Sequence, residues 1–258
     1  MSARIHSTAI VAPDARIGEG VTIGAFAIVG EDCTIGDGCV IAPRATLERN
    51  VTLGRNVQVG IGSVLGGLPQ DLKFRGEHTT VEIGDDTVIR EYATINRGTS
   101  QSRRTTVGEG CFIMSYVHLA HDCHIGNRVI LANMVQLAGH VTVGDRANIG
   151  GVSAVHQFAR IGRNAFIGGC SRVAKDVPPF MKAVGNPMKL YGLNTVGLQR
   201  SGFADETVLA LKRAYRLLFR SDLNVGQAVE RVEAEVGGIP EVRELLAFLE
   251  ASERGVTI

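Results

Sequence analysis

The chain has 258 residues, 45% of them hydrophobic and 21% charged, with a formal net charge of +1. That balance excludes a strongly basic nucleic-acid binder, and no apolar run approaches the ~18 residues of a membrane-spanning helix. With no Trp, 5% aromatic residues and 32 glycines, the core has to be built from small and branched side chains. The stretch MSARIHSTAIVAPDARIG has Pro13 and Asp14 where a signal peptide has an uninterrupted apolar core, so a cytoplasmic location is expected.

From Ile5 to Leu65 an aliphatic residue falls at every sixth position. The period resumes at Ile83, Ile89 and Ile95, and runs again from Val107 to Val173, giving 26 such positions. The residue after the aliphatic one is often Gly, as at Gly18, Gly24, Gly30 and Gly36. The residue four after it is small, as at Val21, Ala27, Cys33 and Cys39. Four of the five cysteines occupy this small column and none forms a CxxC pair, so they read as core hydrophobes. A period of six is neither that of a helix nor that of a flat strand. It fits short strands joined by tight turns, with Gly at the turn because positive φ costs it little. Three hexads close a triangular coil, and coils stacked at ~4.8 Å give a parallel β-helix on the order of 40 Å long.

Two breaks interrupt this prism, which is expected to span residues 1–180. The loop at 66–82 presents Gln70, Asp71, Lys73 and Arg75 together and is expected to be functional; the loop at 97–106 is basic and free of apolar residues. Pro178 and Pro179 end the period, and 181–258 reads as a helical domain. Asp205 and Glu206 open a helix with an apolar stripe of Val208, Leu211, Tyr215 and Leu218, and shorter helices follow near 226–235 and after Pro240. The first helix also carries Lys212, Arg213, Arg216 and Arg220, either a solvated face or a docking surface.

Residues eighteen apart stack, so the hexads at 119–124, 137–142 and 155–160 share a column that collects His121, Asp122, His124, Gly139, His140, His156 and Gln157. Three readings of this cluster stay open: imidazoles holding zinc, a satisfied polar surface, or general-base catalysis. In the last, His121 takes a proton from a hydroxyl while Asp122 orients it. Cys123 points inward and no Ser lies beside a histidine in the column, which favours direct transfer over a covalent intermediate. The Gly139 N–H is suited to face an oxyanion. In the adjacent column Met114-Ser115, Ala132-Asn133, Gly150-Gly151 and Gly168-Gly169 lose their side chains coil by coil. This is either plain turn geometry or a bare groove for a long apolar ligand.

The hexads resemble those of the hexapeptide-repeat acyltransferases, whose coil is left-handed; the general crossover rule alone favours a right-handed one. HLAHDCHIGN, LAGHVTVGD, IGGVSAVHQF, IGGCSRVAKDVPPF, GNPMKLYGLN, GLQRSGF and the PQDLKF loop resemble the UDP-N-acetylglucosamine O-acyltransferases of lipid A biosynthesis across essentially the whole chain. The resemblance implies an all-β left-handed parallel β-helix of hexapeptide repeats with a C-terminal α-helical domain, assembled as a homotrimer with sites between subunits. It implies transfer of an (R)-3-hydroxyacyl chain from acyl carrier protein to the 3-OH of UDP-N-acetylglucosamine, with no metal and no cofactor; a 3-amino acceptor sugar stays open. By the same resemblance His121 is the base, Asp122 its orienting partner and Gly139 the oxyanion donor. His118 and His140 surround the sugar, and His156, Gln157, Gln70, Asp71 and Lys73 contact substrate. Asn194 and Arg200 lie at the nucleotide end, Gly169 stands at the family's acyl-length ruler, where glycine implies room for a longer chain, and the basic helix meets the acidic carrier protein. Val196 and Ser201 depart from the family's acidic residue and second arginine, so no nucleotide contact is carried over there.

Overall fold

The computed structural model describes residues 2–258. Each of the 26 hexad aliphatics lies in one of the first 26 strands, nearly all two residues long, from Arg4–Ile5 to Arg172–Val173. Successive strands go in turn to three parallel sheets, the first, second and third faces of a left-handed β-helix. Registers such as Phe112↔Ile130 and Ile113↔Leu131 place each aliphatic on the one a coil below. Ile113, Leu131, Ile149 and Ile167 are all fully buried in that stack, each gaining about 1.5–3 kcal/mol from burial.

Most corners turn through one residue with positive φ, three positions after the aliphatic, and most of these are not glycine: Asp32, Asn56, Asp122, His140 and Phe158 among them. The glycine column lies two positions earlier, and at Gly30 and Gly36 φ is not positive. The expectation that turn conformation selects these glycines is therefore corrected. A Cβ on Gly30 would lie 1.7 Å from Glu48 O, and one on Gly36 2.4 Å from Gly54 O. Close approach of the next coil is what excludes a side chain.

Both breaks leave the prism between a second-face and a third-face strand: one between Val64–Gly67 and Thr80–Ile83, the other between Thr94–Asn96 and Arg104–Val107. They emerge from the same corner, one coil apart, just below the coil carrying His121 and Asp122.

Strand structure continues past residue 180. Met181–Gly185 pairs parallel with Phe166–Ile167 on the first face, then turns back antiparallel as Met188–Leu193. This hairpin has no hexad signal, and it hands the chain to helices α1 (Thr195–Arg200), α2 (Asp205–Phe219), α3 (Val225–Val236) and α4 (Pro240–Glu250). Asp205 and Glu206 lie at the positive end of α2, an Asn224–Gln227 capping box starts α3, and Pro240 starts α4. Arg163 pairs with Glu244 of α4, and buried Asp176 accepts from Ser252 Oγ at 2.8 Å, so the helical unit is fastened to the end of the prism.

Candidate active site

The corner between the second and third faces carries the histidine column. His121 Nδ1 lies 2.8 Å from Asp122 Oδ2. Asp122 is 1% exposed, and its two oxygens also accept from the backbone and side chain of both Thr99 and Ser102 in the 97–106 loop. Burial alone would raise this carboxyl, but the hydrogen bonds from Ser102, His121 and Thr99 outweigh it and bring its pKa down to about 2. An ionised carboxylate only accepts, so the proton on His121 is assigned to Nδ1 and Nε2 carries the lone pair. Nε2 has no partner among the described residues.

Space for that ring comes from Gly139, one coil on. A Cβ there would lie 2.6 Å from His121 Cε1 and 2.7 Å from Nε2. The Gly139 N–H donates to no group among the described residues. His140 meets His121 edge-on with centroids 5.0 Å apart and stacks on Phe158 at 4.4 Å, with Nδ1 3.8 Å from Asp122 Oδ2. His118 shares a 2.7 Å hydrogen bond with Thr94 Oγ1. Burial lowers the pKa of both His118 and His140, keeping them neutral near pH 7.

His121 lines two cavities. One, of about 580 Å³, is roofed by the first break, with Gln70, Asp71, Lys73 and Phe74, and walled by His140 and Gln157. The other, of about 420 Å³, runs over the second face past His118, Ala120, Ala138, Gly139 and Ala154. The first is rich in polar groups and the second is mostly small and apolar. Gln70 and Gln157 border both.

Other expected site residues lie elsewhere. His156 is exposed, its Nδ1 3.2 Å from Gln157 O, and it lines neither cavity. His124 faces out from the third face, bonded to Thr106. Asn194 and Arg200 line a separate cavity of about 600 Å³ on the first face, with Arg128 and Arg146. The Asn194 side chain is engaged structurally: it caps α1 by accepting from Gly197 N and donates to Asn164 O. Gly169 is exposed at the corner between first and second faces, where a Cβ would lie 3.2 Å from Gly151 O. On α2, Arg213 pairs with Glu235, and Arg220 donates to Leu190 O and lies over Tyr215; Lys212 and Arg216 are exposed without an ion pair among the described residues. Thr99 and Ser102 were not anticipated. The available signal was a hydroxyl-rich break leaving the coil one turn below a corner Asp.

Donor atoms of His121, Asp122 and His140 lie within 4.8 Å of one another, close enough to hold a metal ion. The Asp122 oxygens already accept from five donor groups, and a metal would have to displace them.

The stacked hexads define the class. Residues 14–49, 32–67 and 104–139 match the family model described as bacterial transferase hexapeptide (six repeats), so this is a hexapeptide-repeat transferase. Residues 176–257 match the model described as UDP N-acetylglucosamine O-acyltransferase, domain 2. Proteins named acyl-[acyl-carrier-protein]–UDP-N-acetylglucosamine O-acyltransferase are similar over nearly the full length. Those of Trichlorobacter lovleyi and Thermodesulfovibrio yellowstonii are 56% and 49% identical, covering 98% of each chain. The crystal structure of the UDP-N-acetylglucosamine acyltransferase from Bacteroides fragilis superposes with a TM-score of 0.97 at 40% identity, over 98% of this chain and all of that one. The solved structure of the UDP-N-acetylglucosamine acyltransferase from Campylobacter jejuni gives 0.93 at 36% identity, over 99% of both. The chain belongs to the acyl-[acyl-carrier-protein]–UDP-N-acetylglucosamine O-acyltransferase family, and it is an enzyme. No described helix is long and apolar enough to cross a membrane.

Proposed function

We propose that this chain moves an (R)-3-hydroxyacyl group from the thioester of acyl carrier protein to the 3-hydroxyl of UDP-N-acetylglucosamine, opening lipid A biosynthesis in the cytoplasm. The observation that carries the mechanism is the His121–Asp122 pair where a polar and an apolar cavity meet. The sugar hydroxyl gives its proton to His121 Nε2 as its oxygen attacks the thioester carbonyl carbon. The oxyanion faces the free Gly139 N–H, and the Asp122 carboxylate stabilises the imidazolium. The C–S bond then breaks, and the proton on Nε2 passes to the departing thiolate. No metal or cofactor enters this sequence.

The sugar occupies the loop-covered cavity among His140, Gln70, Asp71, Lys73 and Gln157; His118 meets it from the adjoining cavity over the second face, and His156 contacts substrate from outside both. The acyl chain runs over Ala120, Ala138 and Ala154 toward Gly169. Asn194 and Arg200 hold the nucleotide end. On one chain their cavity opens on the first face, away from His121, which supports a homotrimer in which a second copy completes each site. Lys212 and Arg216, with Arg213 and Arg220 beside them, steer an acidic carrier protein onto α2.

The test is a transfer assay with carrier protein bearing 3-hydroxy chains of several lengths against UDP-N-acetylglucosamine, with and without chelator. Chelator-insensitive transfer peaking at one length is expected. Transfer lost with chelator and restored by zinc would overturn the mechanism.

A further inference from the structure

The loop at 97–106 leaves the prism between Thr94–Asn96 and Arg104–Val107 and returns with its hydroxyls turned toward one buried carboxylate. Thr99 N–H reaches both Asp122 oxygens, at 3.0 and 3.1 Å, and Thr99 Oγ1 donates to Oδ2 at 2.7 Å. Ser102 N–H lies 3.2 Å from Oδ1, and Ser102 Oγ makes a short hydrogen bond to the same atom. Ser102 Oγ also lies 2.9 Å from Arg104 O, but its single proton goes to the charged acceptor, where the bond is stronger. Thr105 Oγ1 accepts the N–H of Asp122 itself at 2.9 Å. One insertion thus fixes both carboxylate oxygens, including the Oδ2 that accepts from His121, and grips the Asp122 backbone as well.

Resting on the general-base reading above, we infer that Thr99 and Ser102 are positioning residues for the transfer reaction: they lock the Asp122 carboxylate so that it accepts from His121 Nδ1 and presents Nε2 to the acceptor hydroxyl. Both hydroxyls donate to Asp122 and neither bonds to His121, although Thr99 also borders the loop-covered cavity. Without them the carboxylate is free to rotate about its Cβ–Cγ bond and to take the hydrogen bond in a geometry that turns the imidazole. A ring turned by a fraction of an ångström at Nε2 loses the alignment the reaction needs. The Asp122 backbone is itself held at positive φ (59°), so rotation of the carboxylate is the freedom left for the loop to remove.

The experiment compares the full-length parent with Thr99→Val/Ser102→Ala, Ser102→Ala and Thr99→Ser, each shown by its thermal transition to be folded at the assay temperature. In the double variant kcat is expected to fall at least twentyfold, with KM for both substrates within twofold. Spectra of ¹⁵N-histidine are expected to show His121 passing from the Nδ1–H tautomer to a mixture. Thr99→Ser keeps the hydroxyl and is expected within threefold of the parent; Ser102→Ala falls between. A double variant with parental kcat, a loss carried by KM, or a loss with the tautomer unchanged would overturn the assignment. His121→Ala in the same assay separates the two layers. If it retains activity, the general-base reading itself is wrong; if it is inactive while the double variant is normal, only the loop's role is.

Discussion

Two corners of the same prism are built on one backbone plan and do opposite things. Between the first and second faces the positive-φ positions hold Tyr116, Met134 and Val152, all more than half exposed. Between the second and third faces the equivalent positions hold Asp122, His140 and Phe158, and Asp122 is buried. The turns are alike, so conformation does not make one corner reactive. What differs is that both insertions leave from the second corner and cover it, turning an outward turn residue into a sealed anion. A repeating scaffold supplies positions; covering loops supply the dielectric and the donors that give those positions chemistry.

His121→Ala breaks the comparison most completely, because it leaves the second corner with no base. A general base is worth roughly 10²–10⁴ in rate, and a loss near the upper end is expected, with the fold retained because the ring packs at a corner of the prism and not in its aliphatic core. Activity within a few-fold of the parent would remove His121 from the mechanism.

Asp122→Asn ranks next, with a loss on the order of 10³ in kcat, because an amide in that place can donate and so favours the wrong imidazole tautomer. It also has a pH signature. The Asp122 pKa is depressed from 3.8 to about 2, so its stabilising contribution is fully present above pH 4 and is lost as pH falls through 2. The contribution is about 2 kcal/mol. Urea unfolding of parent and variant at pH 6, 4 and 2.5 is expected to give a constant gap between the first two and a narrowing one at the third. A gap that widens toward acid would show that the carboxylate is not held as an anion.

Gly139→Ala keeps every catalytic group and moves one. The added Cβ, 2.6 Å from the His121 ring, displaces the imidazole, and a misplacement of about 1 Å can cost 10²-fold. The expected outcome is that loss in kcat with an intact circular dichroism spectrum; parental kcat would show that the ring has room the structure does not show.

The prism was legible from the sequence because each coil repeats the same steric demand. The aliphatic column from Ile5 to Val173 maps one to one onto strands, and the column map brought His121, Asp122, Gly139 and His140 together before any coordinates. The hairpin at Met181–Leu193 escaped because its pairings occur in one place only, by registers no repeat announces. Thr99 and Ser102 escaped for a related reason. Their partner is chosen by how an irregular loop folds back, and nothing in the spacing of RGTSQSRRTT ties a hydroxyl to a carboxylate twenty residues on. The glycine column suggests turn conformation when one hexad is taken alone, and only two stacked coils show the clash.

The mildest change sharpens the contrast by acting at the first corner. There Gly150-Gly151 and Gly168-Gly169 leave the surface bare, at the far edge of the second face from His121. If that corner sets chain length while the other does the chemistry, Gly169→Met alters which substrate is used and not how fast a short one reacts. The methionine Cβ meets Gly151 O at 3.2 Å, a contact that asks for a shift of a few tenths of an ångström. The remaining side chain then lies where a longer acyl tail would end. The expected profile against carrier protein loaded with 3-hydroxy chains moves its maximum to a shorter length, with kcat on the shortest chain within threefold of the parent. An unmoved maximum would strip this corner of its role in selection. A uniform fall at every length would mean the two corners are mechanically coupled, and that division of labour would have to be given up.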